Sequence, residues 1–166
     1  MTNTDYARGR DGIITAMNIT TNSDTQTRLV AQKIGGLLRG GEVLELVGDV
    51  GAGKTTFVKG LAKGLGIGED VQSPTFTISR VYDGRDDLQL AHYDFYRLND
   101  AGIMQAELAE VVRDPKTVTV IEWAAIVEGV LPESRITIEF IATSDEERQL
   151  TITNAPQEWS EHDITA

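Results

Sequence analysis

The stretch that decides the fold runs from residue 48 to residue 55 and reads Gly48-Asp49-Val50-Gly51-Ala52-Gly53-Lys54-Thr55. It fits the phosphate-binding pattern G-x-x-x-x-G-K-[ST]. An apolar run at 43–47 precedes it and is short enough for a buried parallel strand, and residues 56–65 after it are typical of a helix. A strand, a glycine-rich loop and a helix in this order form the context in which the pattern binds phosphate. The sequence therefore predicts a P-loop protein.

The loop predicts specific contacts to a nucleotide. Its main-chain N–H groups and the start of the following helix favour a negative charge. Lys54 is expected to reach the β- and γ-phosphates, and the Thr55 hydroxyl is expected to bind Mg²⁺. The predicted nucleotide-binding residues of this segment are Asp49, Val50, Gly51, Ala52, Gly53, Lys54, Thr55 and Thr56. We expect a protein that binds a nucleoside triphosphate together with Mg²⁺.

The whole chain has the composition of one globular domain. It has 166 residues, of which 40% are hydrophobic and 25% are charged. The absence of cysteine excludes disulfides, thiolate zinc sites and cysteine nucleophiles. No apolar run has the length of a membrane span, and no N-terminal stretch has a signal-peptide pattern. We therefore expect a cytoplasmic protein with no membrane partner.

The charge of the chain bears on its partners. The formal net charge is −11, and a strongly acidic protein is repelled by nucleic acid at long range. Three basic side chains gather on the helix after the phosphate loop, those of Lys54, Lys59 and Lys63, but they are too few for a nucleic-acid footprint. If RNA takes part in the function, we expect another protein to hold it.

Three segments are predicted along the chain. Residues 1–17 are polar and aperiodic and are predicted to be a disordered extension; residues 18–154 form the nucleotide-binding domain; residues 155–166 form a tail without a structural signal. Within the domain, Ser23 and Gln26 fit a capping box. A helix is therefore expected to run from Ser23 to about Leu38.

The rest of the domain predicts a mixed sheet. Strands are expected at 75–82, 88–93, 116–121, 135–141 and 149–153. A helix is expected to begin at Asn99 or Asp100 and to end near Val112. The Asp83-Gly84 turn between the first two strands indicates an antiparallel hairpin. We predict an α/β protein of three layers, α/β/α, whose sheet combines a parallel core with antiparallel strands.

Glu122 ends an apolar, β-rich run at 117–121. A carboxylate at the C-terminal end of a core strand beside a phosphate loop can hold Mg²⁺ directly or through water, as in a Walker B element. The alternative is an ordinary strand end with an exposed glutamate. Trp123 follows at once and is either an aromatic face beside the phosphates or a residue of the core.

A second polar cluster lies at 92–97. On a strand His92, Asp94 and Tyr96 share one face, and Asp94 could position a water or support the metal. An edge strand with a satisfied aspartate is the alternative. In the Ser-Pro-Thr segment that ends at Thr75, the threonine is a candidate for the hydroxyl that nucleotide switches present to the metal or the γ-phosphate. A simple Ser-Pro turn is the alternative there.

Four segments in order resemble the TsaE family: GDVGAGKTTF at 48–57, SPTFT at 73–77, HYDFYRL at 92–98 and IEW at 121–123. The resemblance covers roughly residues 18–153. It implies a small bacterial P-loop ATPase that is required to make threonylcarbamoyladenosine at position 37 of tRNAs that read ANN codons. It also implies partners, the proteins TsaD and TsaB, whose complex the ATP cycle is thought to reset. The tRNA would be contacted only through those partners.

The resemblance implies a role for each matching residue. Lys54, Asp94 and Glu122 become the catalytic set, with Lys54 as the phosphate clamp and Asp94 as the residue needed for hydrolysis. Thr55 and Glu122 become the Mg²⁺ ligands. Thr75 becomes the switch-like hydroxyl, Trp123 the aromatic beside the site, and Thr27 a contact near the adenine. In the adenine-side segment at 24–27 only Thr27 matches the family well, and Arg148 aligns loosely with a C-terminal nucleotide contact.

Two other functions share the phosphate loop. A small-molecule kinase usually needs a lid with several arginines, and the arginines after residue 54 are sparse and never clustered. A nucleotide-gated scaffold would bind ATP without productive hydrolysis, whereas the presence of both Asp94 and Glu122 favours hydrolysis. A GTPase is disfavoured because the chain lacks an Asn-Lys-x-Asp motif. The sequence thus favours a Mg²⁺-dependent ATPase with ATP and ADP as ligands, slow alone and stimulated by its partners.

Overall fold

The computed structural model describes residues 6–9 and 12–165, and side chains from residue 16 onward. The strands are β1 Tyr6–Gly9, β2 Gly12–Thr15, β3 Met17–Thr21, β4 Val43–Val47, β5 Ser79–Asp83, β6 Gln89–Asp94, β7 Thr117–Glu122, β8 Ile136–Ala142 and β9 Arg148–Thr153. The α-helices are α1 Asp24–Leu37, α2 Lys54–Gly64, α3 Ile103–Val111 and α4 Glu161–Thr165. Short 3₁₀ helices lie at Arg85–Asp87 and Ala124–Val130. In the described part of the chain, no helix is both long enough and apolar enough to cross a bilayer.

The main sheet has seven strands in the order β3-β9-β8-β4-β7-β6-β5. Strands β8, β4, β7 and β6 are parallel to one another, while β5 pairs antiparallel with β6, and β3 and β8 pair antiparallel with β9. The prediction of an α/β protein with a parallel core and antiparallel additions is confirmed. The C-terminal ends of β4, β6 and β7 meet at one edge, and this arrangement positions the site.

Helices α1 and α2 pack against each other closely enough that their contact requires glycine. A Cβ on Gly64 would lie 2.1 Å from the carbonyl oxygen of Gln32, and one on Gly60 would lie 2.3 Å from that of Arg28. Helix α1 begins as predicted, because the Ser23 hydroxyl accepts a hydrogen bond from the Gln26 N–H at 3.2 Å. Together the two helices cover one face of the sheet, where the larger apolar core is buried.

A second core lies on the other face of β6 and β7. It consists of apolar side chains from these strands, from α3 and from the 3₁₀ helix Ala124–Val130. Tyr93 and Phe95 stack there with ring centroids 5.9 Å apart. Leu108 of α3 and Val127 of the 3₁₀ helix are both fully buried in this core. Helical elements thus flank the sheet on two sides, which is the predicted three-layer arrangement.

The predicted start of the strand at 75–82 is wrong. Residues 75–77 form a turn, in which the Pro74 carbonyl accepts hydrogen bonds from the N–H groups of Thr77 and Ile78 at 3.0 and 2.6 Å. These bonds use the groups that a strand would direct to its neighbour, so β5 begins only at Ser79. The predicted Asp-Gly hairpin between β5 and β6 is confirmed.

The helix predicted from Asn99 or Asp100 begins later, at Ile103. The Asp100 carboxylate accepts a hydrogen bond from the Gly102 N–H at 2.9 Å, so it closes a turn ahead of the helix. Gly102 has φ +53°, and this left-handed conformation separates the turn from the helix.

The two ends of the chain also differ from the prediction. The segment predicted as a tail contains α4, and the side chains of Trp159 and Ile164 are buried in the larger core. The predicted boundary at residue 18 falls inside β3, which begins at Met17. Within the segment predicted to be disordered, β1 and β2 pair as an antiparallel two-stranded sheet. Residues 1–5 and 10–11 of that segment lie outside the described residues.

Candidate functional site

The phosphate loop joins the end of β4 to the first residue of α2, as the sequence predicts. Gly51 and Gly53 have φ values of +81° and +108°, which side chains other than glycine rarely adopt. Gly48 approaches β8 so closely that a Cβ on it would lie 2.9 Å from the Phe140 carbonyl oxygen. The glycines of the motif therefore allow the backbone conformation of the loop. Helix α2 begins at Lys54, and the free N–H groups of its first turn point toward the loop.

Lys54 is nearly buried, with 6% of the residue exposed. Its ammonium group donates to the main-chain carbonyls of Gly48 and Asp49, the second at 2.9 Å. Burial lowers the pKa of the Lys54 ammonium. Three carboxylates oppose that shift, those of Glu122, Asp94 and Asp49. A cation at this depth among carbonyls and carboxylates is suited to an anionic ligand such as a phosphate.

Asp94 and Glu122 stand side by side at the ends of two parallel strands. They are Cα partners in the pairing of β6 with β7, and only 5% and 4% of the residues are exposed. The Asp94 carboxylate accepts hydrogen bonds from the Thr75 hydroxyl at 2.8 Å and from the Tyr96 N–H at 2.9 Å. The hydroxyls of Ser73 and Thr75 lie 2.7 Å apart. The segment around Thr75 is thus tied to Asp94.

Glu122 has a different partner, which the sequence did not suggest. A ring nitrogen of His92, Nε2, lies 2.8 Å from the Glu122 carboxylate. Both side chains are buried, so Glu122 is not the exposed strand end that stood as the alternative. The period of two along a strand placed His92 on the face of Asp94, but nothing in the sequence indicated that β6 and β7 would be neighbours.

Trp123 and Tyr96 form an aromatic wall beside Lys54. The Lys54 ammonium lies 5.0 Å from the centroid of the Trp123 ring, within the range of a cation–π contact. The Tyr96 and Trp123 rings are 4.8 Å apart. Trp123 adopts a left-handed backbone conformation with φ +57° and is 37% exposed. It therefore lies at the mouth of the site, and the alternative of simple core packing is wrong.

A cleft of about 370 Å³ brings most of the predicted residues together. The predicted residues that line it are Val50, Gly51, Gly53, Lys54, Thr55, Thr56, Thr75, Asp94, Glu122 and Trp123. Asp24, Ser73, Tyr96 and Arg148 line it as well. Asp49 faces Lys54 through its carbonyl, and Ala52 is buried in the larger core.

The structure does not bring Thr27 to the cleft. Thr27 belongs to α1, and its buried hydroxyl faces β3, 2.7 Å from the hydroxyl of Thr21 and 3.2 Å from the carbonyl oxygen of Ser23. Asp24, one helical turn earlier, lines the cleft instead. The resemblance at 24–27 indicated the correct helix, α1, but Thr27, which matches the family best, faces β3 and not the cleft.

Arg148 lies against the phosphate loop. Its side chain carbon Cδ is 3.8 Å from the position of a Cβ built on Gly53. Its Nη1 donates to three main-chain carbonyls of the preceding turn, those of Ser144, Asp145 and Glu147. The guanidinium is therefore held at the edge of the cleft, near the start of α2.

Residues 21–150 match the profile of a protein family described as threonylcarbamoyl adenosine biosynthesis protein TsaE. The match spans more than half of the chain and includes the phosphate loop, Asp94 and Glu122. The chain belongs to the TsaE family. The family resemblance that the sequence motifs indicated is thereby confirmed.

Curated members of the TsaE family are similar to this chain over most of their length. The tRNA threonylcarbamoyladenosine biosynthesis protein TsaE of Bacillus subtilis is 43% identical over 129 residues, which are 77% of this chain and 79% of that protein. The protein of the same name from Treponema pallidum is 44% identical over 119 residues, 72% of this chain and 87% of its own. That of Streptomyces coelicolor is 35% identical over 143 residues, 83% of this chain and 97% of its own.

A solved structure has the same fold. The crystal structure of YdiB from Bacillus subtilis superposes with a TM-score of 0.69 at 35% sequence identity. The superposition covers 86% of this chain and 88% of that chain. The P-loop-like fold of this TsaE family member therefore rests on a structural match as well as on its own strand order.

Proposed function

We propose that this chain is a Mg²⁺-dependent ATPase that assists threonylcarbamoyladenosine formation at position 37 of ANN-decoding tRNAs, acting with TsaD and TsaB. One observation carries the ATPase part. Lys54, Asp94 and Glu122, which lie far apart in sequence, meet in one cleft at the phosphate loop. Membership of the TsaE family and the names of its curated members support the tRNA part.

The cleft has the groups that a bound nucleotide with Mg²⁺ needs. The glycine loop and the first turn of α2 offer N–H groups to phosphates, and Lys54 supplies the cation. The Thr55 hydroxyl and the Glu122 carboxylate are the proposed Mg²⁺ ligands. Within the described residues, no three His, Cys, Asp or Glu side chains are placed to hold a metal by themselves. Mg²⁺ at nucleotide sites usually takes one or two protein ligands and completes its shell with phosphate oxygens and water.

We infer that Asp94 acts on the attacking water. Its carboxylate is buried at the edge of the cleft and is oriented by the Thr75 hydroxyl and the Tyr96 N–H. A carboxylate held in this way can orient a water toward a phosphate and accept its proton. The bond to Thr75 also links the 73–78 segment to the chemistry. We infer that this segment is ordered with ATP and released after hydrolysis, as switch segments are.

The charges of the site favour help from a partner. Phosphoryl transfer is accelerated when a cation reaches the developing charge. Arg148 is the one arginine among the described residues that line the cleft, and its Nη1 is committed to carbonyls. Arg97 instead stacks on Phe76, 4.2 Å from the ring centroid. We therefore infer slow hydrolysis alone and faster hydrolysis in the complex with TsaD and TsaB.

The acidity of the chain supports an indirect contact with tRNA. A net charge of −11 disfavours direct capture of a polyanion. In this proposal TsaD and TsaB bind the tRNA, and this chain binds and hydrolyses ATP.

Reconstituted tRNA modification tests this proposal. Purified TsaD and TsaB, an ANN-decoding tRNA and the threonylcarbamoyl donor are incubated with ATP, with and without this chain, and modified adenosine is counted over many turnovers. We expect product to accumulate beyond one turnover only with the active chain. Lys54→Ala should abolish this support, while Lys63→Ala, on the same helix but outside the cleft, should preserve it. Equal product without the chain would contradict the proposal.

A further inference from the structure

His92 lies one layer beneath the two carboxylates of the cleft. It is located on β6, two residues before Asp94, and its Cα partner on β7 is Val120, two residues before Glu122. None of its surface is exposed. The residue therefore touches neither solvent nor the cleft, and it acts on the site only through what it contacts.

Its contact is with Glu122. Nε2 of His92 and Oε1 of Glu122 are 2.8 Å apart. In the described part of the chain, no other group forms a hydrogen bond with that carboxylate. Because an ionised carboxylate only accepts hydrogen bonds, the proton of this bond is assigned to Nε2. The bond uses one acceptor site of Oε1 and fixes the carboxylate at that oxygen, while its remaining acceptor sites stay available to a cation.

The other ring nitrogen of His92, Nδ1, indicates that core packing does not explain a histidine at position 92. Nδ1 of His92 is buried and has no hydrogen-bond partner among the described residues. A buried polar atom without a partner costs free energy, and the neighbouring inward positions on these strands, Leu90, Val118 and Val120, are apolar. Packing alone would therefore favour an apolar side chain at position 92. The bond to Glu122 is the contact that accounts for the histidine.

The two carboxylates are thus held by different kinds of support. The Asp94 carboxylate accepts hydrogen bonds from the hydroxyl of Thr75, which lies in a turn, and from the N–H of Tyr96, a residue that is 53% exposed. Glu122 is held by a side chain inside the core of the sheet. The orientation of Glu122 therefore does not depend on the contacts of the segment around Thr75.

We propose that His92 is a positioning residue that holds the Glu122 carboxylate in the orientation that binds Mg²⁺ with the nucleotide. This inference rests on the proposed nucleotide site. Partners that orient a metal-binding carboxylate typically change metal affinity by about 10- to 100-fold when they are removed. His92 acts through Glu122 and touches no ligand, so its loss should weaken the metal contribution and leave the phosphate loop intact.

Two variants separate this role from a structural one. His92→Leu removes the donor and keeps an apolar volume in the core. His92→Gln places an amide N–H near the position of Nε2 and should restore the bond. Thr119→Val is the matched control. Thr119 is also fully buried on β7, its hydroxyl has no hydrogen-bond partner among the described residues, and it lies away from the carboxylates. If His92→Leu fails to fold, His92→Asn, whose amide falls short of Glu122, takes its place.

The first readout is the affinity for a fluorescent ADP analogue, measured in EDTA and then across a series of Mg²⁺ concentrations. The second is the electron paramagnetic resonance spectrum of Mn²⁺ bound to the protein–ADP complex. For His92→Leu we expect unchanged affinity in EDTA, a half-saturating Mg²⁺ concentration raised about 10-fold or more, and an altered Mn²⁺ spectrum. His92→Gln and Thr119→Val should stay near the wild type.

Three results would overturn the inference. The first is a wild-type Mg²⁺ response in His92→Leu, and the second is a Mg²⁺ response in His92→Gln as weak as that of His92→Leu. The third is an equal loss of affinity for the ADP analogue in EDTA and in Mg²⁺ in His92→Leu, which would indicate damage to the fold. Failure of the proposed function is recognised separately, because the wild-type protein would then bind no nucleotide or would bind it without any response to Mg²⁺.

Discussion

Replacing Asp94 by asparagine or by alanine separates the charge of this side chain from its hydrogen bonds. Asparagine has nearly the same shape, so its carbonyl oxygen can still accept from the Tyr96 N–H, and its amide can donate to the Thr75 hydroxyl, which can also accept. Alanine removes both bonds. Asp94→Asn should therefore keep the 73–78 segment in place and remove only the negative charge, whereas Asp94→Ala should also release the segment.

The size of each effect follows from these contacts. A carboxylate that orients the water and accepts its proton contributes roughly 10²- to 10⁴-fold to the rate, or about 3–5 kcal/mol of barrier. Both variants should lose that much hydrolysis. A hydrogen bond to a charged group contributes about 1.5–3 kcal/mol, so only Asp94→Ala should also loosen the segment around Thr75. Affinity for ATP should stay within a few-fold of the wild type in both, because Lys54 and the loop remain.

Single-turnover hydrolysis at saturating Mg²⁺–ATP measures the first effect, and hydrogen exchange of the amides at 75–78 measures the second. Asp83→Asn is the control for a lost carboxylate, since Asp83 lies at the exposed hairpin and its side chain accepts from Gln89. Wild-type hydrolysis in Asp94→Asn would refute the role of the charge. Equal exchange in the Asn and Ala variants would refute the link between Asp94 and the segment.

Three further predictions concern stability, each measured by urea unfolding. Trp159→Ala should cost about 3–5 kcal/mol, because this side chain is buried in the larger core, and an unchanged midpoint would exclude the C-terminal segment from the domain. Gly64→Ala should cost about 1–3 kcal/mol, because its Cβ would lie 2.1 Å from the Gln32 carbonyl oxygen. Gly36→Ala should be neutral or stabilising, because no atom of the described residues would lie within 4 Å of its Cβ, and equal effects of the two substitutions would contradict the close approach of the helices. Hydrogen bonds from the Lys116 N–H and the Thr117 hydroxyl lower the pKa of Asp114 from 3.8, so its contribution is complete above that pH and is lost as the pH falls through the lowered value. The difference in stability between the wild type and Asp114→Ala should therefore shrink below pH 3.8, and a constant difference would refute the assignment.

The phosphate loop and Glu122 could be predicted because their signals are local, whereas the role of Asp94 was implied by the resemblance to the TsaE family. A glycine pattern between a strand and a helix determines its own geometry, and Glu122 ends an apolar strand. Parallel strands present their C-terminal ends at one edge, so the two carboxylates are natural neighbours of the loop. The cleft that collects them follows from that rule.

The remaining features depend on contacts between distant parts of the chain. The bond between His92 and Glu122 joins residues 30 apart and requires β6 and β7 to be neighbours. Thr27 matched a pattern but faces β3, because the helix phase that buries its hydroxyl against Thr21 turns Asp24 to the cleft. The C-terminal segment gave no periodic signal, because α4 is only 5 residues long and Trp159, which is buried in the same core as Ile164, precedes the helix.

Steady-state ATP hydrolysis by the purified wild-type chain, alone and with the TsaD–TsaB pair, decides whether this protein is an ATPase stimulated by its partners. We expect slow, Mg²⁺-dependent release of phosphate by the chain alone and a sharp rise when the pair is added. The one arginine among the described residues that line the cleft, Arg148, is held there by bonds from its Nη1 to main-chain carbonyls, and we expect the pair to supply the further cation that speeds hydrolysis. Hydrolysis that stays the same with the pair present would contradict the account and would favour a kinase or a nucleotide-gated scaffold.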